Sequence, residues 1–212
     1  MNWLLKNAEI VGTAAGFLCV WLTVRQNIWN WPLGLVNNLF FLVVLAQDHL
    51  YANVGLQLVF IILGYYGWWV WLYGGSNRTP LPVSRTRPAL WAAGAAIWVV
   101  GSVALAWGLQ EMTQRAGLPA PDYVYWDSSI AVASLLAQWM LTRKKIENWL
   151  VWIITVNLSQ VFLFTQKERY LMAGLQIAYG VLSLQGYRAW RKDLSIQESN
   201  IARSVPEAVA TG

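Results

Sequence analysis

The sequence predicts an all-α membrane protein of seven transmembrane helices, arranged 3+1+3 as two parallel three-helix repeats about a single linking helix. Composition, the spacing of charges and an internal repeat each point there. The 212 residues are 57% hydrophobic and 12% charged, with 15 tryptophans and a mean hydropathy of +0.41, unlike an ordinary soluble domain. Cutting the chain at its charges leaves windows at 10–24, 26–47, 49–77, 88–110, 128–142, 148–166 and 170–187. A helix crosses a bilayer in about 20 residues, so each window provides one span. The short windows 10–24 and 128–142 take in Glu9 and Asp127 at the interface.

The first helix is expected to stay in place, because no small-residue cleavage pattern precedes Arg25. Pro32 opens the second, where a missing N–H costs nothing. The third and seventh are glycine-punctuated and aromatic, the fourth links the two units, and the fifth begins at Asp127. Residues 192–212, "KDLSIQESNIARSVPEAVATG" from Lys192 onward, are polar without a sustained apolar period and read as a flexible cytosolic tail. Orientation follows from the loops: Lys6, Arg115, Lys167 and Arg169 lie on one side, the other eleven of 15 Lys and Arg on the opposite side. The positive-inside rule places the N-terminus outside and the C-terminus in the cytosol. The net charge of +5 is thus a matter of topology and requires no nucleic acid. One cysteine, Cys19, excludes a disulfide framework or a metal-ligand cluster.

Sliding the chain against itself exposes the repeat. At an offset of 118, Trp21, Arg25, Ile28, Asn30 and Trp31 fall on Trp139, Arg143, Ile146, Asn148 and Trp149. At an offset of 119, Tyr51, Gly55, Leu56, Gln57, Leu63, Gly67 and Trp71 fall on Tyr170, Gly174, Leu175, Gln176, Leu182, Gly186 and Trp190. One helix separates the copies, so the second enters the membrane from the same side as the first. This gives units at 8–73 and 126–191 joined by a helix at 88–111, a SWEET-like arrangement with a site near the midplane between the copies.

The stretch "ENWLVWIITVNLSQVFLF" shows what that site contains. At about 100° per residue, Trp152 lies about 60° from Trp149 on one side, with Gln160 about 20° and Asn157 about 80° on the other. In the seventh helix Gln176 and Tyr179 lie on or beside a polar face with Ser183; in the third, Gln57 and Trp68 share a stripe; in the fifth, Asp127, Ser134 and Gln138 do. Amides and hydroxyls can simply hold helices together, but polar stripes on four helices favour a lined cavity. Indoles stack on planar rings and attract cations, and amides offer paired donors and acceptors. A neutral or cationic ring with polar appendages fits. No charged residue falls in the middle of a span, so proton coupling lacks its relay and passive movement is implied. Catalysis is not expected, because Cys19 and His49 have no partners for acid–base or nucleophilic chemistry.

"NWLVWIITVN", "YWDSS", "LYANVGLQLVFIILGYYGWWVW" and "ERYLMAGLQIAYGVLSLQGYRAW" together resemble the PnuC family of bacterial vitamin transporters, over about residues 9–192. The resemblance implies a homotrimer in the bacterial inner membrane that carries nicotinamide riboside by facilitated diffusion, without a cofactor, with trapping by a cytosolic kinase. Relatives assigned to thiamine and riboflavin keep those vitamins as alternatives. The substrate-binding set is expected to be Trp149, Trp152, Asn157, Gln160, Gln176, Tyr179, Gln57, Trp68 and Asn38.

Overall fold

In the computed structural model, residues 14–47, 51–117, 123–166 and 168–210 are described. They form seven helices: α1 (Ala14–Val24), α2 (Asn30–Gln47), α3 (Tyr51–Tyr73), α4 (Pro88–Arg115), α5 (Val124–Thr142), α6 (Asn148–Gln166) and α7 (Tyr170–Ala210). Gly55–Tyr73 within α3, and α4 and α6 entire, are long and apolar enough to cross a membrane by length and composition. Helix α2 packs on α3, α4 on α5, α6 on α7, and α3 and α6 both meet α5. Helix α4 stands outermost, with only 6% of its span buried. The bare Gly101, where a Cβ would press on Val132, lets it approach α5, and a Trp98 indole N–H donated to the Ser129 carbonyl at 3.1 Å holds it there.

Helices α1 and α5 stop in the same way. Gln26 (φ 52°) and Lys144 (φ 46°) are left-handed. The N–H groups that follow reach back five residues, Asn27 to the Leu22 carbonyl and Lys145 to the Met140 carbonyl, each at 2.9 Å. This Schellman closure satisfies carbonyls that a helix end leaves free. It turns the chain sharply into Asn30–Trp31 in one case and Asn148–Trp149 in the other.

Both tryptophans then enter one buried layer. Trp31 meets Trp71 edge-on at 5.3 Å and 88°; Trp149 meets Trp190 at 5.4 Å and 84°. Trp71 and Trp190 touch each other at 5.9 Å. The glycines explain how large rings fit between helices: a Cβ on Gly67 would overlap the Trp31 ring, and one on Gly186 the Trp149 ring. The indole bonds cross between the halves. Trp71 Nε1 donates to the Leu141 carbonyl at 3.0 Å, and Trp190 Nε1 to the Thr23 carbonyl at 3.3 Å. The α3–α4 connection straps this end down, with Val83 buried in the layer and Ser84 bonded on both sides of the α5–α6 turn.

The tail expectation needs correction, for the chain does not leave its helix at 192. Helix α7 continues to Ala210. Leu194 is buried against the tryptophan layer, Asp193 accepts a 2.6 Å hydrogen bond from Gln26, and Glu198 lies 3.7 Å from Arg85. One apolar anchor and two polar contacts replace the long apolar stripe whose absence reads as disorder.

Candidate functional site: a cavity between the helices

A cavity of about 790 Å³ lies between α1, α2, α3, α5, α6 and α7. That is ample for a vitamin-sized ligand. Its inner end meets the tryptophan layer at Thr23, Asn30, Trp31 and Leu141; Asp127, Leu163 and Phe164 lie at the other end. Helix α5 supplies one continuous wall. Asp127, Ile130, Ala131, Ser134, Gln138 and Leu141 recur at helical spacing along it.

Helix α6 is built differently. Residues Val151–Asn157 form a π-helix between two α-helical segments. With i→i+5 bonds a turn takes roughly four and a half residues, so each residue advances by roughly 80°. Over the five steps from Trp152 to Asn157 the two side chains end about 40–50° apart, against about 140° in an α-helix. Gln160 then returns to the same side after three α-helical steps. Trp152, Asn157 and Gln160 all line the cavity.

Seven of the nine expected residues do so: Trp152, Asn157, Gln160, Gln176, Tyr179, Gln57 and Asn38. Trp149 and Trp68 do not. Trp149 is 2% exposed and turned onto Gly186 and Trp190, while Trp68 packs against the outside of the same layer. The face drawn with a uniform 100° step assigns Trp149 to the cavity because it lacks the π segment. Trp31, Asn30, Asn37 and Thr23 line the cavity and were missed. The signal was present in the repeated Asn-Trp pair, which sits beside the site in the first copy and behind it in the second. His49 lies outside the described residues.

Local bonds hold the lining in place. Asn157 Nδ2 donates to Ser183 Oγ at 3.5 Å, close to Gly180, whose missing side chain leaves room for it. Tyr179 stacks on Phe17 at 4.6 Å and 14°. Asn30 Nδ2 donates to Thr23 Oγ1 at 3.0 Å, which itself donates to the Cys19 carbonyl at 2.9 Å. The cavity thus offers indole, phenol and phenyl faces with amides between them. No Lys, Arg or Glu lines it among the described residues, and Asp127 is the one carboxylate. Among the described residues no cluster of His, Cys, Asp and Glu is placed to hold a metal.

Residues 6–192 match the family model described as nicotinamide mononucleotide transporter. The chain belongs to this family. A curated relative, the nicotinamide riboside transporter PnuC of Escherichia coli, is 30% identical over 211 residues, covering 90% of this chain and 85% of the relative. The riboflavin/roseoflavin transporter RibM of Streptomyces davaonensis is 29% identical over 204 residues, covering 90% and 92%. Among solved structures, the crystal structure of the vitamin B3 transporter PnuC superposes with a TM-score of 0.65 at 23% identity, over 91% of this chain and 90% of that one. At that identity the likeness is one of fold. The protein is therefore an all-helical membrane protein of a transporter family.

Proposed function

We propose that the protein carries nicotinamide riboside across the bacterial inner membrane by facilitated diffusion, a cytosolic kinase trapping the product by phosphorylation. The observation that carries this reading is the aromatic and amide-lined cavity into which the π segment of α6 turns Trp152 and Asn157. Indole and phenyl faces suit the pyridinium ring; Asn38, Gln57, Asn157, Gln160 and Gln176 suit the carboxamide and ribose. The family's description speaks of the mononucleotide, whose phosphate calls for a cation. Among the described residues no Lys or Arg lines the cavity, which favours the dephosphorylated riboside. The absence of a charged residue at mid-span supports uncoupled movement.

The proposed architecture is seven spans in a 3+1+3 SWEET-like order, with units at 8–73 and 126–191 about the helix at 88–111. The matched Schellman turns, tryptophan pairs and crossed indole bonds support it. Loop charges put the tryptophan layer at the cytosolic end, the C-terminus in the cytosol and the N-terminus outside. Transport then rocks the two units about the site. Assembly is proposed as a homotrimer.

A second reading, riboflavin, is favoured by the Streptomyces relative. Tryptophan fluorescence of the purified protein separates the two. Nicotinamide riboside is expected to saturate the signal, and Trp152→Ala and Asn157→Ala each to weaken binding at least tenfold and abolish uptake into proteoliposomes. Saturation by riboflavin alone would replace the vitamin and keep the site.

A further inference from the structure

We infer that Gln26 and Asp193 hold the tryptophan layer shut by answering the buried charge of Lys144, and that Lys144 by itself does not. The inference rests on the proposed rocking of the two units and names side chains that govern it. Gln26 falls on Lys144 at the offset of 118 that aligns the two copies, and each is the left-handed residue that closes its helix. These equivalent positions meet, Lys144 Nζ donating to Gln26 Oε1 at 3.2 Å. Lys144 is only 7% exposed, and its ammonium lies 4.5 Å from the centre of the Trp71 ring. Its charge is answered through Gln26, whose Nε2 donates to Asp193 Oδ2 at 2.6 Å. At the offset of 119 Asp193 falls on Gly74, so this carboxylate has no counterpart in the first copy. The tryptophan pairs are matched between the copies; the bridge is an addition to one of them.

Gln26 and Trp71 precede α4, whereas Lys144 and Asp193 follow it. A swing of one unit against the other therefore breaks Lys144–Gln26, Gln26–Asp193 and Lys144–Trp71 together, and it returns the ammonium to water. These two effects oppose each other. The broken contacts resist opening, and rehydration of a buried charge favours it. Taking away the partner of a buried charge is strongly unfavourable, whereas replacing the charge with an apolar side chain of similar volume is neutral or favourable. The closed layer is thus expected to answer the two kinds of substitution differently: cutting the bridge opens it, and removing the cation does not.

The test uses the full-length protein in right-side-out and inside-out membrane vesicles, with Cys19→Ser and one introduced cysteine. Leu141→Cys reports on the layer and Leu163→Cys on the other end of the cavity. A membrane-impermeant maleimide is applied to each from its own side. The readout is the ratio of labelling rates, layer end over far end, which follows the balance between the two states. Gln26→Gly removes the bridge and keeps the left-handed turn, which glycine adopts without strain. It is expected to raise the ratio about tenfold or more, the worth of a hydrogen bond to a charged group. Asp193→Asn gives a smaller rise in the same direction, and Lys144→Met leaves the ratio within about twofold or lowers it. An unchanged ratio in Gln26→Gly overturns the inference, and so does a rise of both rates in step, the mark of a loosened fold. A rise in Lys144→Met equal to that in Gln26→Gly overturns it as well, since a contact that is simply structural behaves so. The transport reading has its own readout in the same vesicles, for nicotinamide riboside then slows labelling at one or both cysteines. If it slows neither, that reading fails, while the bridge is decided by the ratio alone.

Discussion

Lys144 shows how much one side chain can depend on its neighbours. Its ammonium lies 4.5 Å from the centre of the Trp71 ring and donates to Gln26 Oε1 at 3.2 Å, while Gln26 donates onward to Asp193. Burial pushes its pKa down from 10.5 to about 8, and Asp193 opposes that shift. Because the folded value lies below the unfolded one, protonated Lys144 works against folding below about pH 8, and its contribution to stability improves between about 8 and 10.5. Wild type is expected to gain thermal stability relative to Lys144→Met as pH is raised from about 7.5 to about 9.5. A constant difference in Tm across that range would show that the amine does not titrate there. The sequence gives Lys144 as a residue of the fifth connection and Gln26 as the first residue of the window 26–47. That they meet was not legible, because residues 118 apart in sequence become neighbours only through the packing of two separately closed turns.

At the scale of the element, the repeat and the apolar windows were readable because each relies on short-range regularities: the length of a span, and constant spacing between copies. The π-helix was not. Widening a turn sacrifices backbone bond geometry, which no side-chain pattern encodes, and tertiary packing decides whether the loss is recovered. Its effect on the site is large, since it swings Asn157 and Gln160 toward Trp152. Ile154, 60% exposed on the outer side, can be removed without opening the core. Deleting Ile154 is expected to return the segment to α-helical spacing with Asn157 four steps and about 40° from Trp152, so that the lining keeps its register and the variant retains more than about a tenth of wild-type uptake. Uptake below about a tenth of wild type in a variant that still elutes as a folded species would show that the wider backbone of the π turn, beyond its register, sets the site. The end of α7 was misread for a related reason: Leu194 packs alone, and one buried residue leaves no period to detect.

For the whole molecule, the tryptophan layer is where residues preceding α4 and residues following it pack together. Four of its polar atoms, Trp31 Nε1, Trp149 Nε1, Asn30 Oδ1 and Asn148 Oδ1, are buried without a hydrogen bond. Each such group costs roughly 1–3 kcal/mol. The crossed bonds of Trp71 and Trp190 weigh on the other side, at about 0.5–1.5 kcal/mol each. Trp71→Phe and Trp190→Phe are each expected to lower stability by more than that amount, since the smaller ring also leaves a cavity in the buried layer. Because both bonds bridge the same pair of bodies, the two losses are expected to be coupled: the double variant should fall short of the sum in a thermal-unfolding cycle. Strict additivity would argue that the bonds break independently.

Crossing has one more consequence. A bond within each half would let one half relax while the other stayed shut. Under the proposed rocking of the two units, each donor belongs to one unit and its acceptor to the other, so a swing of either that parts Trp71 from Leu141 or Trp190 from Thr23 leaves an indole N–H without its acceptor and sets a cost on opening the layer.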